Sequence, residues 1–169
     1  PTVAGADETF AAFGSLCGSI GVLCGLERFA EEGWPAPGTG RLIEAVRLEP
    51  GAAAIAPASP TVVWSCDLAG PVGSDGCIYQ FTYPAQHVLL AQEGAPAPVA
   101  GRTWGPLEDP GVHVNSSGAW TLRATLDASD TASDALIVKN GSVFVREGDT
   151  LPAIAPFTFD GFGRGRALL

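Results

Sequence analysis

Short apolar runs separated by Gly- and Pro-rich breaks fill the chain, and helix-period patterning of any length is absent. The last third is patterned most cleanly. Asn115-Ser116-Ser117-Gly118 reads as a turn, and residues 120–126 then alternate, placing Trp120, Leu122, Ala124 and Leu126 on one face. A polar loop over 127–134 leads to a strand at 135–139. Asn140-Gly141, the strongest two-residue hairpin signal in the chain, returns it through 142–146. A further short strand is predicted at 157–159. Upstream, 61–68 is rich in β-branched and aromatic residues, 77–82 alternates, and 88–91 is a third run. Shorter strands are predicted at 10–16, 20–24, 26–30, 41–48 and 52–56, whereas residues 1–9 read as loose and polar.

A motif recurs on this pattern. Glu32-Gly33-Trp34-Pro35-Ala36-Pro37, Glu93-Gly94-Ala95-Pro96-Ala97-Pro98 and Glu147-Gly148-Asp149-Thr150-Leu151-Pro152 each follow an apolar run and end on proline. Their glutamates lie 61 and 54 residues apart, the size of one supersecondary module. Residues 62–68 also align with 120–126, and 75–78 with 134–137. The expected fold is all-β, with three tandem antiparallel sheets of propeller-blade type in a single domain, 1–169. The units run roughly over 1–48, 49–109 and 110–169, with about twelve short strands and little helix.

The run Asn115-Ser116-Ser117-Gly118-Ala119-Trp120-Thr121-Leu122, the Asn140-Gly141 hairpin and Arg146-Glu147-Gly148-Asp149-Thr150-Leu151-Pro152 together resemble one unit of a bacterial tandem-repeat family. That family carries an Asn-x-x-Gly-x-x-x-Phe signature followed by a Gly-Asp-x-x-Pro loop. The resemblance covers residues 110–162 well and 1–109 in outline. Leu122 stands where the signature has Phe, and the first two units lack the Asn-x-x-Gly turn. The resemblance implies β-propeller-like repeats and a secreted, surface-associated setting, and it brings no catalytic residues to transfer.

Composition narrows the function classes. A chain that is 46% hydrophobic and 16% charged can bury a core, and Gly 22 with Pro 14 suits many strands joined by turns. A net charge of −9 argues against nucleic acid and against anionic membrane surfaces. No apolar run reaches the length of a membrane span. The chain starts at Pro1 and contains no methionine, which reads as a mature processed chain or an excised segment. Four cysteines fall in two close pairs, Cys17 with Cys24 and Cys66 with Cys77, and an even count favours an oxidising compartment. The aligned units place Cys66 and Cys77 on neighbouring strands. Of three connectivities, the local one, Cys17–Cys24 with Cys66–Cys77, is expected.

Candidate chemistry is sparse. His87 and His113 sit beside turns without an evident carboxylate or nucleophile partner in sequence, and read as ordinary exposed side chains. Asp127, Asp130 and Asp134 could offer oxygens to calcium, but their spacing of three and four fits a solvated loop better; no other cofactor is implied. The recurring glutamates read as caps on nearby amides beside glycines that turn the backbone. Trp64 and Trp120 read as core. Trp34 and Trp104, in or just after proline loops, are candidates for an exposed sugar platform. The chain ends on Ala167-Leu168-Leu169, within a stretch that corresponds to the lead-in of another unit, and neither end looks capped. The expected function is therefore a non-enzymatic, secreted or cell-surface structural or adhesive protein. It would assemble head-to-tail with copies of itself through its ends, with a filament placed ahead of a ring, or bind another surface protein. The alternatives are a lectin-like module that binds a glycan, and an excised segment of a larger surface propeller.

Overall fold

The computed structural model describes residues 2–4, 10–16, 19–24, 27–47, 49, 51–56, 59–84, 86–107, 110–127, 133–150, 152, 155, 157–159 and 162, with side chains described from Ala30 onward. These residues contain no helix and form fourteen strands in three antiparallel sheets. The first sheet has the order β1 (Thr2–Ala4), β2 (Phe10–Leu16), β3 (Ser19–Cys24), β4 (Glu27–Glu31). The second comprises β5 (Ile43–Val46), β6 (Ala53–Ile55), β7 (Thr61–Leu68), β8 (Gly76–Thr82) and β9 (Gln86–Gln92). The third comprises β10 (Thr103–Trp104), β11 (Gly111–Val114), β12 (Trp120–Asp127), β13 (Ala135–Lys139) and β14 (Ser142–Arg146).

The extra strands have one cause. In the second and third sheets the first strand is split, and both halves pair with the same long neighbour. On β7, β5 takes one end (Ile43 opposite Leu68) and β6 the other (Ala53 opposite Trp64). On β12, β10 takes one end (Trp104 opposite Leu126) and β11 the other (Val112 opposite Leu122). A half-strand of two to four residues is too short to carry a period, so β10, β11 and β1 lie in stretches that read as loops. β5 and β10 belong to the second and third sheets. The chain therefore changes sheet at the proline loops, not at residues 48 and 109.

The three sheets stack face to face around two cores. Val62, Trp64, Cys66 and Leu68 of β7, with Cys77, Tyr79 and Phe81 of β8, meet Ala30 of β4 and Ala36 on one side. Val63 and Ile78 project to the other side, against Trp104, Leu107, Val112, Trp120, Leu122, Ala124, Leu126, Leu136 and Val138. The second sheet is thus covered on both faces, which is why nearly every position of 61–68 is buried, Thr61 and Ser65 included. β12 alternates buried and half-exposed because only one of its faces meets a neighbour.

The hairpin at Asn140-Gly141 is the turn expected, with φ of 47° and 83°. The Trp120 N–H donates to Asn140 Oδ1 at 2.9 Å, so the turn also ties the entry of β12. Leu122 is fully buried between the second and third sheets, whereas Val143 on β14 is 37% exposed. Leu122→Ala is expected to cost about 2–5 kcal/mol in urea unfolding, and Val143→Ala to stay within about 0.5 kcal/mol.

Candidate functional site

The recurring Glu-Gly motif is the joint between sheets. Gly33, Gly94 and Gly148 hold φ of 84°, 74° and 84°, a region open to glycine and costly for other residues. Each donates its N–H forward, Gly33 to the Ile43 carbonyl (2.7 Å), Gly94 to Trp104 (2.9 Å) and Gly148 to Phe159 (2.8 Å). Each acceptor donates back, Ile43 to Trp34, Trp104 to Ala95 and Phe159 to Asp149, at 2.8, 2.9 and 3.1 Å. Residues 157–159 are therefore not a fourth strand of the third sheet. Phe159 holds the position that Ile43 and Trp104 hold at the start of the second and third sheets.

A polar junction lies between the second and third sheets. Buried Glu93 accepts the Leu107 N–H through Oε1 at 2.6 Å, while the Arg47 guanidinium donates to the Leu107 carbonyl. Both backbone groups of Leu107, which is itself core, are thus satisfied by second-sheet side chains. Arg47 also pairs with Asp67, its Nε donating to Oδ1 at 3.0 Å. Burial alone would lower the Arg47 pKa, but the hydrogen bond and charge of Asp67 prevail and raise it. Gly76 makes room for the Glu93 carboxylate, which a Cβ there would meet at 2.6 Å. Close to it, burial pushes the Asp75 carboxyl up, but hydrogen bonds from the backbone, among them the Gly73 N–H at 3.1 Å, with the Arg41 charge, outweigh it and hold its pKa low. In the third sheet the corresponding Glu147 accepts the Ala135 N–H at 3.4 Å. Glu93 and Glu147 thus cap amides, as their sequence context suggests.

A second repeated residue is not apparent from the apolar pattern. Arg41 follows Gly40 and Arg102 follows Gly101, at the same 61-residue spacing as Glu32 and Glu93. Their carbonyls accept from Ala36 and Ala97, at 2.8 and 3.0 Å. The Arg41 guanidinium gathers the carbonyls of Ala69 (2.8 Å), Leu68 (3.1 Å) and Ser74 (2.6 Å), capping the end of β7 and the loop beyond it. The spacing itself is the signal that marks these arginines.

Cys66 and Cys77 face each other in register across β7 and β8, as free thiols. The Leu68 N–H to Asp75 carbonyl bond sets the alternation of the ladder, making the cysteines a hydrogen-bonded pair with Cα atoms about 5.5 Å apart, within disulfide range. Burial pushes both thiol pKa values up, that of Cys77 to about 12. Cys17 lies outside the described residues, and Cys24 is described only as the last backbone position of β3.

Trp64, stacked on Tyr79 at 5.1 Å, and Trp120 are core as expected. Trp34 is 39% exposed, but Trp104 is only 4% exposed. The expectation of an exposed Trp104 is therefore corrected. As part of β10 it pairs with β12, and its ring enters the second core. Trp104 and Trp120 still edge a cleft of about 260 Å³ beside Pro96 and Pro98. His87 and His113 are half-buried rather than exposed. The His87 ring packs 4.9 Å from Phe81, and burial lowers its pKa. Asp127 is exposed and Asp134 half-buried, Asp130 lies outside the described residues, and no group of three metal-ligating side chains occurs among those described. Ala167, Leu168 and Leu169 also lie outside the described residues.

Fold and junctions together define an all-β chain of stacked, antiparallel repeat sheets. Comparison with protein-family models, curated proteins and solved structures finds no match.

Glu93→Ala is expected to strand the buried Leu107 amide and to cost about 1–3 kcal/mol in urea unfolding, with Glu93→Gln milder. For His87 the folded pKa lies below the unfolded value, so its contribution is present at neutral pH. It is lost as pH falls from about 6.5 through the folded pKa. His87→Gln should flatten the stability–pH curve there. Mild oxidation should join Cys66 to Cys77 and raise stability by about 2–3 kcal/mol, read by peptide mass mapping and by the urea midpoint.

Proposed function

We propose that this chain is a non-enzymatic, extracellular structural or adhesive module that assembles with copies of itself. The carrying observation is where the repeated residues go. The Glu-Gly joints tie the end of each sheet to the next half-strand along the chain. Glu93 and Arg47 fix the next sheet's Leu107, and Arg41 caps the end of β7. The residues that recur build a stack instead of converging on a reaction centre. Two further features support the extracellular part of the reading. One is the even count of cysteines in close pairs; the other is the resemblance of residues 110–162 to secreted bacterial surface repeats.

The reading is tested by sedimentation velocity over a concentration series. The expected result is a mass that rises above 17.3 kDa with concentration. Because each copy carries −9, added salt should strengthen association by screening repulsion. A chain that stays monomeric at high concentration and high salt would refute the reading.

A further inference from the structure

The second and third sheets share a register, so the two junctions between sheets can be compared position by position. Ile43 lies opposite Leu68 and Trp104 opposite Leu126, which aligns β7 with β12. Counting back from those leucines, Trp64 lies opposite Tyr79 and Leu122 opposite Val138. Val138 is therefore the counterpart of Tyr79. Each faces the core that its sheet shares with the preceding one.

At the first junction Tyr79 reaches the proline loop. Its ring stacks on Trp64 at 5.1 Å, and its hydroxyl donates to the Pro37 carbonyl at 3.0 Å. Ala36 is buried there and Pro37 half-buried. At the second junction that ring is missing. The 61-residue offset carries Pro35-Ala36-Pro37 onto Pro96-Ala97-Pro98, and the Ala97 N–H still donates to the Arg102 carbonyl as Ala36 does to Arg41. Yet Ala97 is half-exposed and Pro98 exposed. The cleft of about 260 Å³ opens at this place, lined by Pro96, Ala97 and Pro98 together with Trp104, Trp120 and Val138. Larger side chains at two neighbouring positions, Trp104 for Ile43 and Trp120 for Val62, give the cleft aromatic walls instead of filling it. The Pro98 carbonyl, counterpart of the acceptor at Pro37, takes no hydrogen bond from the described residues.

We propose that this cleft is a binding site for a small monocyclic phenol, whose ring takes the place of the Tyr79 ring and whose hydroxyl donates to the Pro98 carbonyl. An apolar cavity of about 150 Å³ is enough to take up benzene, so the volume suits one ring. The tryptophans offer that ring stacked or edge-on contacts. None of the described residues that line the cleft is charged, which disfavours an ionic ligand. The unmet carbonyl favours a hydrogen-bond donor over a plain hydrocarbon. The lining residues all belong to one chain, so the site stands apart from the assembly reading.

The probe is p-cresol, titrated into the isotopically labelled chain and followed by NMR. Saturable shifts are expected at the Val138 methyls and at the indole N–H signals of Trp104 and Trp120, with NOEs from the p-cresol ring to Val138. 4-Methylanisole keeps the ring and its oxygen but lacks the O–H, and should bind roughly fivefold or more weakly. N-acetyltyrosinamide should bind no more tightly than p-cresol. Val138→Tyr should fill the cleft from within and abolish the p-cresol shifts while the β spectrum persists. Absence of saturable shifts in the parent chain, NOEs that land elsewhere, or equal binding of 4-methylanisole would overturn the proposal. So would a folded Val138→Tyr chain that still binds p-cresol. N-acetyltyrosinamide binding roughly tenfold tighter would give the cleft to a tyrosine of a protein partner and overturn the free ligand. Should Val138→Tyr fail to fold, the NOEs in the parent chain decide.

Discussion

Passage from sheet to sheet depends at every joint on a glycine whose backbone sits at φ near 80°, with its N–H turned toward the first strand to come. A side chain at such a position would be strained whether or not space were free around it. The constraint is strict because the exchanged pair of hydrogen bonds sets both the distance and the register of the next sheet. With Gly94 in place, Trp104 must lie opposite Leu126, and its ring must enter the second core. With Gly33 in place, Ile43 must lie opposite Leu68. The prolines beyond each glycine stiffen the loop at positions where an absent N–H costs little. Local backbone chemistry thus decides long-range packing.

The polar groups between the second and third sheets need a separate balance. Arg47 and Asp67 are largely withdrawn from water, and an ion pair there gains little beyond its own desolvation. Their value lies in the neighbour. The first strand of the third sheet breaks between Trp104 and Gly111, which would leave Leu107 with unpaired backbone groups in the core. An uncompensated buried amide costs about 1–3 kcal/mol, more than a net hydrogen bond returns. Glu93 and Arg47 remove that penalty from both ends of the residue. The split first strand is tolerable because the preceding sheet supplies the missing partners.

Most of the strand content is legible in the sequence because it follows period two or β-branched runs bounded by Gly, Pro and Asn-Gly. Residues 61–68, 76–82 and 120–127 are long enough for that pattern to emerge. The Glu-Gly recurrence and the 62–68 to 120–126 alignment are legible too, and the structure places those residues at equivalent positions. The half-strands are not, since β10 is two residues and β11 begins with a glycine. Trp104 misleads because a tryptophan beside a proline loop suggests exposure, and only the hidden β10 turns it inward. Arg41 and Arg102 can be found by carrying the 61-residue offset nine residues past the glutamates. Leu107 cannot, because its role is carried by its backbone.

The two faces of the stack also say what kind of neighbour each can take. β7 is buried on both sides, so the second sheet is stable only between neighbours. β12 carries Thr121, Arg123 and Thr125 on the face turned from the second sheet. The Thr121 hydroxyl is buried there without a hydrogen-bond partner among the described residues. A broad apolar interface on that face would also have to bury the Arg123 guanidinium, a cost that apolar contact alone does not offset. Two copies each carrying −9 would also repel, so association through this flank depends on screening by salt as well as on contact.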